Sequence, residues 1–151
     1  MTYKISQDKN FSNLDLSNVD FSHSDLSRAN FSYAILKGAN FSEANLTDAD
    51  FSHADLSNAN LYGANLSNAN FDTARMINAN LSESNLSESL FHFTDMTNTN
   101  LLNANLSNAK FDRIDCEGIN FEGCVFQGAY FYKVSLEYDV IGMSDATFEW
   151  P

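Results

Sequence analysis

The sequence predicts a solenoid in which each coil takes twenty residues and divides into four units of five. Two observations carry this. From Phe11 to Leu136 an apolar residue, large in every case but Cys116, stands at every fifth position, 26 times without a break. A period of five fits neither the turn of an α-helix nor the alternation of a strand, and a short fixed period held this long marks a repeat architecture. Within that series every twentieth residue from Phe11 is again phenylalanine: Phe31, Phe51, Phe71, Phe91, Phe111 and Phe131. A residue that meets its own kind at this interval defines the length of one coil.

Taking the large apolar residue as the centre of each unit, the other positions are also constrained. The residue two before the centre is Ala in 14 of 26 units, unbroken from Ala29 to Ala79. The residue before the centre is mostly Asn or Asp, and the one after it is mostly Ser or Thr. From Ala39 to Asn70 the chain reads ANFSE ANLTD ADFSH ADLSN ANLYG ANLSN AN. This A(D/N)LXX pattern resembles the pentapeptide-repeat family over about residues 9–138. The resemblance implies an all-β fold, a right-handed quadrilateral β-helix of about six and a half coils with four pentapeptides each. It also implies that the centre and the residue two before it face inward. With neighbouring coils about 4.8 Å apart, as paired strands are, the rod is roughly 30 Å long.

The first side of the coil carries the phenylalanines. The second carries Leu16, Leu36, Leu56, Met76, Met96, Cys116 and Leu136, with no aromatic centre. The third runs from Phe21 to Phe121 and the fourth from Leu26 to Phe126. At the start, residues 1–8 lie outside the frame and are expected to form an N-terminal cap. Lys9, Leu14 and Val19 replace Ala at the first inward minor positions. Bulk there fits an end of the core that must be closed, because an open coil edge invites strand addition.

Further along, Ser84, Ser89, Thr94 and Thr99 replace Ala at inward positions and require hydroxyl partners, which turn backbone can supply. Gly38, Gly63, Gly118, Gly123 and Gly128 fall two after a centre, the third position of a β-turn. Asn is also frequent there, and glycine or Asn at that position indicates a type II turn, since φ must be positive. The three successive glycines assign this turn to coil 109–128, and other turn types stay open elsewhere. The frame lapses after Leu136, and residues 139–151 are expected to cap the last coil. Asp145–Glu149 reads as one more unit displaced by two residues, with Val140–Met143 bulging or covering the coil end.

Outward residues also form columns. Asn40, Asn60, Asn80, Asn100 and Asn120 make a ladder in which stacked amides can hydrogen-bond. On the second side Asp15, Ile35, Asp55, Arg75, Asp95 and Asp115 align, placing Arg75 between two aspartates. Toward the C-terminus that side gathers Asp95, Asp115, Glu117 and Glu137. This cluster is the best candidate for contact with a basic partner, set against plain solvated surface. Leu90, Phe93 and Leu102 are outward apolar residues and the candidates for contact by shape. Tyr130, Tyr132, Tyr138, Phe148 and Trp150 enrich the C-terminal end in aromatics, which interfaces favour, so a homodimer through the C-terminal coil is expected.

The chain has 20 acidic residues against 8 Lys and Arg, a net charge of −12, which argues against direct nucleic-acid binding through a basic surface. Neither a charged-then-apolar leader nor an apolar run of about 18 residues follows Met1. The expected location is cytoplasmic, with no membrane contact. Cys116 and Cys124 sit at inward positions and read as reduced core thiols, a disulfide being the lesser alternative. His23, His53 and His92 fall in three different columns, so no pair is placed to share a metal. No nucleophile–base constellation or phosphate-cradling loop occurs. The expectation is therefore a non-enzyme without cofactor or metal, a scaffold that binds a protein partner along an acidic rod. The resemblance supplies a second reading, since some members of the family mimic duplex DNA and bind DNA gyrase, protecting it from quinolones. A third, ice or crystal-surface binding by the Asn-x-Ser array, is disfavoured by serine where threonine would be needed.

Overall fold

Hydrogen-bond accounting explains why this sequence closes into square coils. In the repeat Ala49–His53, four of the five backbone N–H groups reach backbone oxygens. Phe51 N donates to Asn70 O at 2.8 Å and His53 N to Asp72 O at 2.8 Å, both one coil ahead. Asp50 N donates back to Ala29 O at 2.9 Å, and Ala49 N closes the preceding corner on Leu46 O at 3.0 Å. The fifth, Ser52 N, has no backbone acceptor and is taken by the Oδ1 of Asp50 at 3.0 Å. A buried or half-buried backbone donor must be paired, and Asn or Asp two residues back is the side chain that can do so. The same cap recurs from Asn10 on Ser12 to Asn120 on Glu122.

The computed structural model describes residues 9–134 and 147–149. Across them the chain is the right-handed quadrilateral β-helix the pattern predicts. Parallel bridges join residues twenty apart on all four sides, such as Asn40 to Asn60 and Asn45 to Asn65. Centres are buried along the whole described rod. On the first side the phenylalanine rings stack face to face, with centroids between 4.5 Å (Phe111–Phe131) and 5.2 Å (Phe51–Phe71). Face-to-face packing at coil spacing is what a twenty-residue repeat of one ring type imposes. The inward hydroxyls find the expected turn carbonyls. Ser84 Oγ donates to Leu81 O at 2.7 Å, and Thr94 Oγ1 reaches Phe71 O of the preceding coil at 2.7 Å.

The corners differ from the expectation in one respect. Positive φ is not confined to coil 109–128: Asn13, Arg28, Thr73 and Glu88, at φ 60°, 58°, 57° and 61°, adopt it as the glycines do. The third turn residue is left-handed at each corner from Asn13 to Lys133, because a four-residue corner that turns the parallel ladder through a right angle fixes that dihedral whatever the side chain.

Three corners of the first side then open. Thr94, Ile114 and Val134 stack where Ala stands earlier in the column, and the turn N–H bond that Ala74 N makes to Phe71 O has no counterpart at them. The chain beside them extends into strands β1 (Leu90–His92), β2 (Lys110–Asp112) and β3 (Tyr130–Tyr132). A fourth strand, β4 (Thr147–Glu149), adds to β3 in parallel with Phe148 opposite Phe131. The sheet order is β1-β2-β3-β4. Phe148 thus takes a centre's backbone position 17 residues after Phe131, a last unit out of step with the frame. The expected cap 1–8 and the bulge Val140–Met143 lie outside the described residues.

Candidate interaction surface

Two sides of the C-terminal half carry different chemistry at the same coil heights. On the second side Asp95 and Asp115 are bridged neighbours one coil apart, and Glu117 follows two residues on. Asp95 is half-buried and the other two are exposed. Asp95 Oδ1 accepts the N–H of Thr97 at 3.1 Å and its hydroxyl at 2.7 Å, so that oxygen is structural. No Lys or Arg lies within ion-pair distance of Asp95, Asp115 or Glu117 among the described residues. Glu137 lies outside them.

Arg75 is bridged to Asp55 on one side and to Asp95 on the other, as its column suggests, but its side chain pairs with one of them. Its guanidinium is 4.0 Å from Asp55 alone. Asp55 also holds Lys37 at 3.3 Å. Burial would raise the Asp55 carboxyl, but hydrogen bonds from Ser57 and the Lys37 ammonium outweigh it and hold the carboxyl low.

The first side carries a cluster that the sequence reading did not connect. His92 lies between Asp72 and Asp112 of the neighbouring coils, with Nδ1 2.9 Å from Asp72 and Nε2 3.4 Å from Asp112. Arg113 donates from Nε and Nη2 to the two oxygens of Asp112, each at 2.8 Å. That fork holds the Asp112 carboxyl below its ordinary range and raises Arg113. The guanidinium carbon stands 4.2 Å from the centroid of the Phe93 ring. The signal was available in the twenty-residue columns Asp72, His92, Asp112 and Phe93, Arg113, Lys133.

The apolar candidates are divided. Leu90 and Phe93, 42% and 50% exposed, flank the first side, whereas Leu102 is half-buried on the opposite, third side. Tyr130 and Tyr132 are half-buried on the first side, flanking buried Phe131, so they face sideways and not along the rod. Phe148 contributes its backbone to β4, and Tyr138 and Trp150 lie outside the described residues. The asparagine ladder forms as expected on the third side: Asn60 Nδ2 donates to Asn40 Oδ1 at 3.1 Å, and the series continues to Asn120. Its members also cap turns, so they are structural.

Neither Cys116 nor Cys124 is joined in a disulfide. Cys124 Sγ donates to Leu101 O at 3.0 Å, and burial pushes this thiol up to about 11. Among the described residues no group of three His, Cys, Asp or Glu side chains is arranged to hold a metal.

Comparison with known proteins agrees with this architecture. Family models described as pentapeptide repeats (8 copies) match residues 10–48 and 39–76, and a pentapeptide repeat region matches residues 64–140. None of the curated proteins compared matches. Among solved structures, a pentapeptide repeat protein from the thylakoid lumen of Arabidopsis thaliana is 32% identical, with a TM-score of 0.51, over 85% of this chain and 72% of that one. Full-length QnrB1, a plasmid-mediated fluoroquinolone resistance protein, is 21% identical with a TM-score of 0.47, over 89% of this chain and 83% of its own. HetL, a pentapeptide repeat protein involved in heterocyst differentiation regulation from the cyanobacterium Nostoc sp. strain PCC 7120, is 23% identical with a TM-score of 0.31, over 81% of this chain and 76% of its own. The unbroken five-residue frame, the square coils and the family models together place the chain in the pentapeptide-repeat family.

Proposed function

We propose that this chain is a non-enzymatic scaffold whose sides bind protein partners. The observation that carries the reading is the difference between adjoining sides at equal height: uncompensated Asp95, Asp115 and Glu117 on the second, aromatic and cationic residues on the first. The interior is saturated, since among the described residues no buried side-chain N or O lacks a partner. Chemistry is therefore left to the outside of the rod. Capture of partners from the source cell with the full chain as bait tests this. A partner retained by wild type and lost when a side is altered supports it, and a bait that retains nothing sinks it. Association of two copies through the C-terminal coils belongs to the same reading, and a monomer by light scattering at high micromolar protein would end that part.

The acidic strip favours a second reading, mimicry of duplex DNA toward DNA gyrase. Asp95 and Asp115 repeat at coil spacing with no Lys or Arg in ion-pair range among the described residues, as suits a charge array tracked by a basic groove. Inhibition of gyrase supercoiling, or relief of quinolone poisoning, is the expected result. No effect at micromolar protein on gyrase from the source organism removes this reading.

A further inference from the structure

We infer that the first side, at strands β1–β3, is a docking face for a carboxylate-rich segment of a protein partner; the inference rests on the scaffold reading and names the partner's chemistry. Three of the eight Lys and Arg residues of a chain with net charge −12 lie here: Lys110, Arg113 and Lys133. The pairing registers Leu90 with Lys110, and a twenty-residue step sets Phe93, Arg113 and Lys133 in one corner column.

Of the other cations among the described residues, Arg28 also stands exposed without a carboxylate in ion-pair range, and the rest are paired. Lys9 pairs with Asp25, and Lys37 and Arg75 with Asp55. Lys110 is exposed with no carboxylate in ion-pair range among the described residues. Lys133 likewise lacks one, and its ammonium lies 5.1 Å from the centroid of the Tyr132 ring. Arg113 is forked on Asp112 and lies over Phe93, which fixes its plane and leaves Nη1 outside the fork. Cations seated on aromatic rings keep their charge at the surface in a set position, so little ordering is required when an anion arrives. Leu90 and Phe93 supply apolar contact beside them.

Charge decides the occupant. Two copies meeting first side to first side would oppose like cations. The first side of one rod against the acidic second side of another is a heterologous contact that does not close at two copies, so growth of the full chain beyond a dimer in light scattering would overturn the inference. The acidic second side repels an anion that strays round the corner, which confines a narrow segment to β1–β3. Asp72 and Asp112 within the cluster disfavour the continuous phosphate row of a nucleic acid.

The test uses the full chain and a fluorescein-labelled peptide of glutamates around a central phenylalanine, read by anisotropy at low and physiological salt. Lys110→Glu with Lys133→Glu, both exposed, should weaken binding by about tenfold or more. Asp95→Asn with Asp115→Asn should leave it unchanged or strengthen it. Melting curves of the variants confirm that the fold is kept. Absence of binding, equal binding by the Lys variant, or equal competition by a single-stranded oligonucleotide of the same charge overturns the inference. Partner capture from cells separates the two readings. The same partners on wild type and on the Lys variant overturn this inference and leave the scaffold standing, whereas a wild-type bait that retains nothing overturns both.

Discussion

Phe71 and Phe91 lie face to face one coil apart, with ring centroids 5.0 Å apart and planes within 3°. Phe51 sits on the other side of Phe71 at 5.2 Å, so removing Phe71 opens a gap that neighbours on a rigid ladder cannot fill. Phe71→Ala should cost about 3–5 kcal/mol. Adjacent Asn70 faces out, and by sequence alone its loss should cost under about 0.5 kcal/mol. The structure raises that expectation, because Asn70 caps Asp72 N at 3.1 Å and donates to Asp50 at 3.1 Å. Asn70→Ala should cost about 1 kcal/mol, measured beside Phe71→Ala in denaturant melts. Equal losses would show the inward–outward assignment to be wrong.

Thr73 holds φ at 57°, where a β-branched residue is strained. Asn13, Asn58 and Asn68 occupy the same turn position at φ 60°, 60° and 58°. Asparagine tolerates this region better, so Thr73→Asn should stabilise the protein by about 0.5–1 kcal/mol. An unchanged or lower melting temperature would mean that the Thr73 hydroxyl bond to Asp72, at 3.1 Å, outweighs the backbone strain.

Acid should loosen the N-terminal coils first. Asp25 is held at about 2, from an ordinary 3.8, by hydrogen bonds from the Ser27 hydroxyl and N–H and then by Lys9. Asp15 is lowered too, by Ser17. A depressed folded value means stability that is fully present above 3.8 and lost as pH falls toward about 2. Thermal melts across that window should fall more steeply for wild type than for Asp15→Asn with Asp25→Asn, which keep the caps and do not titrate. Parallel curves would remove these carboxylates as the cause.

The acidic strip can be neutralised without dismantling it. Asp95 Oδ1 caps Thr97 at 3.1 Å and Asp115 Oδ1 reaches Glu117 N at 3.4 Å, and an Asn Oδ1 accepts the same bonds. Asp95→Asn, Asp115→Asn and Glu117→Gln together should leave the melting temperature nearly unchanged. Any effect on gyrase should weaken and lose its salt dependence. If the effect persists in full while Leu90 and Phe93 prove sensitive, contact is by shape and the charge reading fails.

The sequence by itself determined the coil, because a five-residue period with phenylalanine every twentieth residue sets four units to a turn, and its resemblance to pentapeptide repeats implied the β-helix and which residues face inside. It also determined which hydroxyls need carbonyls and that Asn40 to Asn120 align, since columns follow from coil length alone. Tertiary structure decided what depends on dihedrals and reach. That each described corner, not only the glycine-bearing coil, takes positive φ is imposed by closure of the square, and local residue preference is overruled. That Asn and Asp serve as caps emerges only when the one N–H per repeat without a backbone acceptor is identified. Arg75 turning to Asp55 and away from Asp95, and Arg113 lying on Phe93, depend on long flexible side chains whose choice among neighbours a column cannot specify. Leu90 and Leu102, twelve residues apart, fall on opposite sides because each five-residue step turns the chain by a quarter.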